Sequence, residues 1–418
     1  MISTIIRRKC CRLCNGKYLE LVLPIAASPI ADAYISHDRL SERQDTYPLD
    51  LYLCNDCGHL QNIDVVNPDI LFRDYIYQTS SSLGLVEHYR HYADDVMLRF
   101  DVKPGALVLE IGSNDGSLLR FFKSNGLEVL GIDPARRIAY EATARGIPTL
   151  PEFFCSKLAK ELQKEHVPAA VIAANNVFAH ADNLTDIVQG IRMMLDNDGV
   201  FIFEVSYLPD IVDRFLFDTV YHEHVSYHSI APLARFFERL DMQLFDVQRI
   251  SSKGGSIRGF AQRTPEGCHA VTSRVWDMLE EEFRRGFDKP VVYREYGEAI
   301  AKRKVAVEEV LNNVRANGKT VVGYGASTTV TTLIWHFDLA QKLEFLVDDN
   351  PLKHGLFAPK CHLPVLPSEE LYLRRPDYVV ILAWNYAEPI IKRHQRYIAE
   401  GGTFVVPLPE LRVISGER

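Results

Sequence analysis

Cysteine and tryptophan are scarce in this chain, with eight and three copies in 418 residues. Eight cysteines are too few to staple a polypeptide of this length, so a disulfide scaffold is excluded. No run of about eighteen apolar residues occurs, which argues against a transmembrane helix. The opening M-I-S-T-I-I-R-R-K-C-C-R carries basic residues with no apolar segment behind them and does not read as a secretory signal. An excess of positive charge is also missing. Asp and Glu total 55 against 47 Lys and Arg, giving −8, which speaks against a chain built to grip nucleic acid. The zincin H-E-x-x-H is absent, and the glycine spacing at Gly112 and Gly116 fits neither the dinucleotide fingerprint G-x-G-x-x-G nor the P-loop, which needs G-K-[ST]. There is no fixed-period repeat and no low-complexity tract. With 47% hydrophobic and 24% charged residues, the expectation is a soluble, cytoplasmic protein of two or three domains.

Half of the cysteines are organised. Cys11-x-x-Cys14 and Cys54-x-x-Cys57 are flanked by the turn formers Asn15-Gly16 and Gly58. Each pair can form a knuckle with two sulfurs aimed at one ion, and two knuckles complete a tetrahedral site for zinc. Four thiolates leave no open coordination position, so the metal is expected to be structural. It would compensate for a segment too small to fold on its own core. Two unrelated pairs of buried cysteines, or a redox dithiol, are the alternatives; the dithiol fits poorly because neither pair sits at the mouth of a βαβ unit.

The first sixty or so residues show short β-like runs, Leu19–Leu23 and Leu49–Leu53, broken by turn formers. From Ala106 the chain changes to strand–turn–helix alternation. A-L-V-L-E-I, L-E-V-L-G-I-D, A-A-V-I-A-A and V-F-I-F-E-V are nearly continuous in apolar character, as strands buried on both faces of a parallel sheet should be. Amphipathic segments such as Ser117–Ser124 and Ala135–Arg145 lie between them. A polar, helix-like stretch covers about Val271 to Ala316. A second alternation then runs through K-T-V-V-G-Y-G-A-S, L-E-F-L-V-D-D-N, D-Y-V-V-I-L-A-W and T-F-V-V-P-L. The expected fold class is α/β, with a small zinc-binding domain over residues 1–68, a Rossmann-like domain over 69–298 and a second Rossmann-like α/β domain over 299–418.

In the first alternation, Gly112 and Gly116 fall between a strand and a helix, where a ligand can approach backbone amides at the carboxyl end of a sheet. Glu110 ends the strand, and Ser113-Asn114-Asp115 fills the turn. That chemistry suits a zwitterionic amino-acid moiety better than a pyrophosphate. The next strand ends at Asp133, placed to accept hydrogen bonds from a ribose diol or else to cap the helix that follows. The third ends at Asn175 and Asn176, either of which could meet an adenine or its ribose, with His180 at the same edge.

E-I-G-S-N-D-G, then G-I-D-P, then N-N-V-F-A-H resembles the class I S-adenosylmethionine (SAM)-dependent methyltransferases. More narrowly it is similar to the sugar C-methyltransferases that act on nucleotide-linked 4-keto deoxysugars, and the resemblance spans nearly the whole chain. It implies a zinc domain, a class I methyltransferase domain with SAM as cofactor, and a C-terminal α/β domain for the nucleotide-linked sugar. From hydropathy and charge no membrane or nucleic-acid partner is expected, and the chain is expected to be a monomer or weak dimer.

The densest polar cluster is D-T-V-Y-H-E-H-V-S-Y-H-S, Asp218 to Ser229. A second metal site or an ordinary polar loop would each explain it, but acid–base chemistry suits it best. Methyl transfer to carbon needs a carbanion equivalent, and a 4-ketone lets the C-3 proton leave through an enolate if one group accepts it and another stabilises the oxygen. The resemblance assigns active-site roles to Tyr221, Glu223, His224 and His180, and to an early tyrosine, Tyr75 ahead of Tyr77. The base is Tyr221 or His224. His222 is expected to face away if the segment is extended. By the same resemblance Gly323, Tyr324 and Gly325 form a turn that could cradle a diphosphate, Asp348 meets a ribose hydroxyl, and Asn385 belongs to a W-N motif. Thr329-Val330 stands where many relatives carry a lysine–glycine step. A SAM-dependent O- or N-methyltransferase, and a non-catalytic nucleotide-sugar-binding protein, are the competing functions.

Overall fold

A computed structural model describes residues 4–73, 78–81 and 84–416. The four apolar runs of the first alternation become the centre of a seven-stranded sheet. Its strands are β1 (Leu107–Ile111), β2 (Glu128–Ile132), β3 (Thr149–Leu150), β4 (Ala169–Asn175), β5 (Leu195–Ser206), β6 (Met242–Ile250) and β7 (Ser256–Arg263). The spatial order is β3-β2-β1-β4-β5-β7-β6. β7 runs antiparallel to both neighbours, while β3, β2, β1, β4 and β5 pair in parallel. All five residues of β1 are buried, which is why the run reads as continuously apolar instead of alternating. The order reverses between β1 and β4, and the crevice beyond the carboxyl ends of such strands is where α/β sheets take ligands.

By compactness the chain divides into two units. The first holds residues 1–20, 53–209 and 225–289; the second holds 21–52, 210–224 and 290–418. Both cysteine pairs belong to the first unit, together with the seven-stranded sheet. Arg235 donates to the carbonyl of Cys57 at 2.8 Å, and Arg12, fully buried, donates to the Asn62 carbonyl and to Asp182.

The second unit contains a six-stranded sheet: β8 (Val321–Tyr324), β9 (Leu346–Asp348), β10 (Val365–Pro367), β11 (Tyr378–Ile381), β12 (Thr403–Val406) and β13 (Arg412–Ser415). The order is β10-β9-β8-β11-β12-β13, parallel except for the last pair. Its reversal lies between β8 and β11. The helix-like stretch from 271 to 316 is two helices, not one. Ser273–Arg285 stops at Gly286, which takes the left-handed conformation of a C-cap, and a new helix starts at Pro290 and runs to Ala316. The first belongs to one unit and the second to the other. Among the described residues no helix is long and apolar enough to cross a membrane.

Candidate active site and metal centre

The four sulfurs of Cys11, Cys14, Cys54 and Cys57 lie within 4.8 Å of one another. Cys11 and Cys57 are 3.7 Å apart, Cys14 and Cys54 3.5 Å, and none is disulfide-bonded. A tetrahedral ion with Zn–S bonds of about 2.3 Å requires sulfurs about 3.8 Å apart, so the donor set fits zinc. The crowding makes the sulfurs compete for protons. Hydrogen bonds from Cys54 and Cys57 push the Cys11 thiol down, and that thiolate in turn raises Cys57 and pushes Cys54 up to about 12. A dication is what allows four thiolates to share so small a volume.

At the reversal of the first sheet, β1 leads into the turn from Gly112 to Ser117. Gly112 has φ 70°, and a Cβ there would stand 2.4 Å from the Val177 side chain; only glycine fits. Asn114 also has positive φ, at 50°. Its Oδ1 accepts from the Thr79 N–H at 2.9 Å, and Asp115 Oδ2 accepts from Ser80 N–H at 3.0 Å. Burial works to raise the Asp115 carboxyl, but hydrogen bonds from Ser117 and Ser80 outweigh it and hold it below the usual range. Asp133 is buried, and its two oxygens accept from the N–H groups of Asn114 (2.8 Å) and Ala135 (2.9 Å). It therefore ties the turn to the helix Arg136–Ala144, with lone pairs left for a ligand hydroxyl. Asn176, at φ 57°, donates its N–H to the Glu204 carbonyl at 2.7 Å.

The strand register brings a polar row onto one face of the sheet. Glu110 faces Ala173, Asn175 faces Glu204, and Glu204 faces Arg258. Since Asn175 is two residues beyond Ala173, all four polar side chains share that face. The helix Leu85–Arg99 adds two more groups. Glu204 accepts from Arg258 Nε at 2.8 Å and lies 2.9 Å from His88 Nε2, and the Arg258 guanidinium stacks 4.1 Å over the Tyr92 ring. Several buried polar groups meet here: Glu110 and Tyr92 both lie within hydrogen-bonding reach of the Asn175 amide, and the Ser113 hydroxyl has no partner among the described residues. Burial pushes Glu110 well above the usual carboxyl range. A buried polar atom left short of partners costs on the order of 1–3 kcal/mol, and these groups keep hydrogen-bonding capacity to spare. A cofactor with an amino-acid head and hydroxyls is the kind of group that satisfies them, so the residues present fit SAM. His88, Tyr92, Glu204 and Arg258 escape sequence reasoning. The signal that could have found them is a charge inside an apolar run, Glu204 in V-F-I-F-E-V and Arg258 in S-I-R-G-F-A.

His180, also in the first unit, is half-buried and stacks on Phe72 with centroids 5.7 Å apart and planes at 8°. Tyr75 and Tyr77 lie outside the described residues.

The Y-H-E-H segment belongs to the second unit. Residues 221–223 make a turn and not a strand, because the His224 N–H closes back on the Tyr221 carbonyl at 2.9 Å. His222 still points away from its neighbours: it is buried edge-on to the Tyr47 ring, Nε2 lies 3.2 Å from the Tyr47 carbonyl, and burial lowers its pKa to about 4. Tyr221 and His224 come together. Their rings are 4.1 Å apart, and the Tyr221 hydroxyl lies 3.0 Å from His224 Nε2. His224 Nδ1 is 2.7 Å from the Thr219 carbonyl. A carbonyl only accepts, so Nδ1 carries the proton and Nε2 is left to accept from Tyr221. Glu223 is buried beside them.

In the turn after β8, Gly325 has φ 116°, and a Cβ there would stand 2.8 Å from that of Ala383. Gly323 lies buried within β8. The Tyr324 hydroxyl donates to Asp349 Oδ1 at 2.9 Å and lies 3.1 Å from His394 Nε2. Asp348 accepts from the N–H groups of Ala326 and Asn350, at 2.6 and 2.8 Å. Asn385 is exposed in the turn Trp384–Tyr386. Thr329 is half-buried and Val330 fully buried, at the start of the helix Thr328–His336.

A glycine-turn α/β sheet with a buried polar row at its strand reversal, and a four-cysteine cluster in the same unit, suit a methyltransferase with a structural metal. Family models match in three consecutive blocks: a zinc binding domain over residues 11–72, a methyltransferase domain over 85–246 and a C-methyltransferase C-terminal domain over 251–409. The C-methyltransferase NovU of Streptomyces niveus is 34% identical over 408 residues, covering 97% of each chain. The chain belongs to this family of SAM-dependent C-methyltransferases with a zinc-binding domain. Solved structures are more distant. The SAM-bound magnesium protoporphyrin IX methyltransferase of Synechocystis PCC 6803 is 15% identical, with a TM-score of 0.35 over 48% of this chain and 99% of its own.

Proposed function

We propose that the substrate is a nucleotide-activated 4-keto deoxysugar and that the methyl group is delivered to C-3 through an enolate. The observation that carries this reading is the Tyr221–His224 pair with its fixed tautomer. O- and N-methylation need at most one proton taken from a heteroatom. Carbon methylation needs a base strong enough, and held rigidly enough, to take hydrogen from carbon. With the Nε2 lone pair of His224 engaged by Tyr221, the tyrosine oxygen is the atom a C–H bond would meet. It takes the C-3 proton as its own proton passes to Nε2, and the Thr219 carbonyl steadies the imidazolium that results. Glu223 orients the pair, and His180 is assigned to the enolate oxygen. Bound SAM supplies an electrophilic methyl on a sulfonium, with Glu110, Ser113 and Asn175 proposed at its amino-acid end and Asp133 at its ribose. Tyr75 is retained as an active-site candidate, and Gly325, Asp348 and Asn385 as contacts for the nucleotide.

The test is solvent exchange. A nucleotide-linked 4-ketosugar incubated in D2O with enzyme and S-adenosylhomocysteine should take up deuterium at C-3 with no methyl transferred. Tyr221→Phe and His224→Ala should abolish the uptake. Absence of exchange in the wild-type protein, alongside active methylation, would overturn the enolate.

A further inference from the structure

The segment bearing Tyr221 and His224 is surrounded in sequence by the methyltransferase domain, yet it packs in the second compact unit. Three elements of that unit hold it. Tyr296, on the helix Pro290–Ala316, donates to the Ile211 carbonyl at 3.2 Å. On the helix Thr328–His336, the buried Thr332 hydroxyl donates to the Val220 carbonyl at 2.6 Å. Beside that helix the Phe337 ring stacks on Phe217, with centroids 5.3 Å apart and planes at 17°. From the turn after β11, the Trp384 indole N–H donates to Asp218 Oδ2 at 2.8 Å.

Asp218 is unusual. It is 1% exposed, and among the described residues no cation pairs with it. The groups around it are the Trp384 indole, the Thr329 hydroxyl and the Tyr296 phenol. Buried carboxyls without cations are costly, so this one is expected to be kept for what it holds in place. It sits in the single turn Phe217–Thr219, and the carbonyl of Thr219 is the acceptor that fixes the tautomer of His224. Val220, next in the chain, is clamped by Thr332. The path therefore runs from Trp384 and Thr332, through the peptides of residues 218–220, to His224 Nδ1 and so to the Tyr221 hydroxyl.

We propose that Trp384, Asp218 and Thr332 are positioning residues for the Tyr221–His224 pair, so that the C-terminal α/β unit supplies the acid–base half of the reaction as well as a place for the substrate. The proposal rests on the enolate reading above. It assigns no contact with substrate to these three residues. Their effect passes through the Thr219 carbonyl, and a hydrogen bond misaimed there releases the wrong tautomer of His224.

The experiment uses the full-length protein and reads C-3 deuterium exchange, methyl-transfer kcat and KM, and SAM affinity by calorimetry. Thr332→Val keeps shape and removes one donor; Trp384→Phe keeps an aromatic ring in place and removes the indole donor, at the cost of some volume. Each is expected to slow exchange and kcat together by about three- to tenfold, the size of one lost hydrogen bond, with SAM affinity unchanged. Asp218→Leu should lose more than either, and Asp218→Asn, which still accepts from the indole, should recover most of that loss. A purely structural defect would instead lower the fraction of folded protein, and with it the SAM-binding stoichiometry, in step with the exchange rate. If Tyr221→Phe stops exchange while Trp384→Phe and Thr332→Val exchange at the wild-type rate, the positioning proposal is overturned and the enolate stands. Should Tyr221→Phe itself exchange normally, it is the enolate reading that fails.

Discussion

Replacing Asp218 by asparagine should stabilise the protein, and increasingly so as the pH rises. Burial pushes this carboxyl up to about 7 from the ordinary 3.8, with the Trp384 hydrogen bond opposing it. Ionising the side chain in place is therefore less favourable than in the unfolded chain by about 4 kcal/mol. Between about pH 4 and pH 7 the unfolded chain has already given up the proton that the folded one still holds. Folded stability thus declines through that window and levels off above about pH 7. Asparagine has nearly the same shape, still accepts from the indole and has no proton to lose. The advantage of the variant should widen by about 2.5 kcal/mol between pH 5 and pH 8. Urea unfolding followed by tryptophan fluorescence measures it, and taking the difference between the two proteins cancels every other titrating group. A gap that stays constant over this range, or that narrows toward pH 8, would show that Asp218 is not held protonated by its surroundings.

Three further outcomes are expected. Metal analysis of reduced protein should give about one zinc per chain, and Cys57→Ser should lower both the zinc content and the melting temperature, because four thiolates have no spare ligand. Arg258→Met strands the buried Glu204 carboxylate and should cost about 3–5 kcal/mol in denaturant unfolding; a loss under about 1 kcal/mol would mean His88 alone satisfies it. Gly112→Ala should weaken SAM binding at least tenfold by calorimetry, since the new Cβ meets Val177 and the backbone must leave φ 70°.

Much of the fold is legible in the sequence because the physics behind it is local. Two C-x-x-C spacings dictate two knuckles, and Leu107–Ile111 and Ala169–Asn175 read as buried parallel strands because nothing polar interrupts them until their ends. The break at Gly286 is less legible. The polar character of residues 271–316 continues across it, and only the left-handed cap shows that one helix stops before another begins at Pro290. The turn at 221–223 is hidden for a related reason. Alternation would send His222 away from its neighbours, and a tight turn does the same, so the side-chain pattern does not distinguish the two.

The polar row and the mounting of the Tyr221–His224 pair are illegible for a deeper reason: both depend on pairings between distant parts of the chain. Glu110, Asn175, Glu204 and Arg258 are scattered over about 150 residues, and only strand register aligns them. Asp218 reads as one more polar residue in D-T-V-Y-H-E-H, and nothing adjacent to it says that Trp384, 166 residues later, will cover it. The domain models mark methyltransferase over 85–246, which includes the whole segment, whereas its packing partners lie on 290–418. A base that must take hydrogen from carbon needs a fixed tautomer more than it needs proximity in sequence. Here that tautomer is set by a carbonyl whose own position is determined by hydrogen bonds from Trp384 and Thr332.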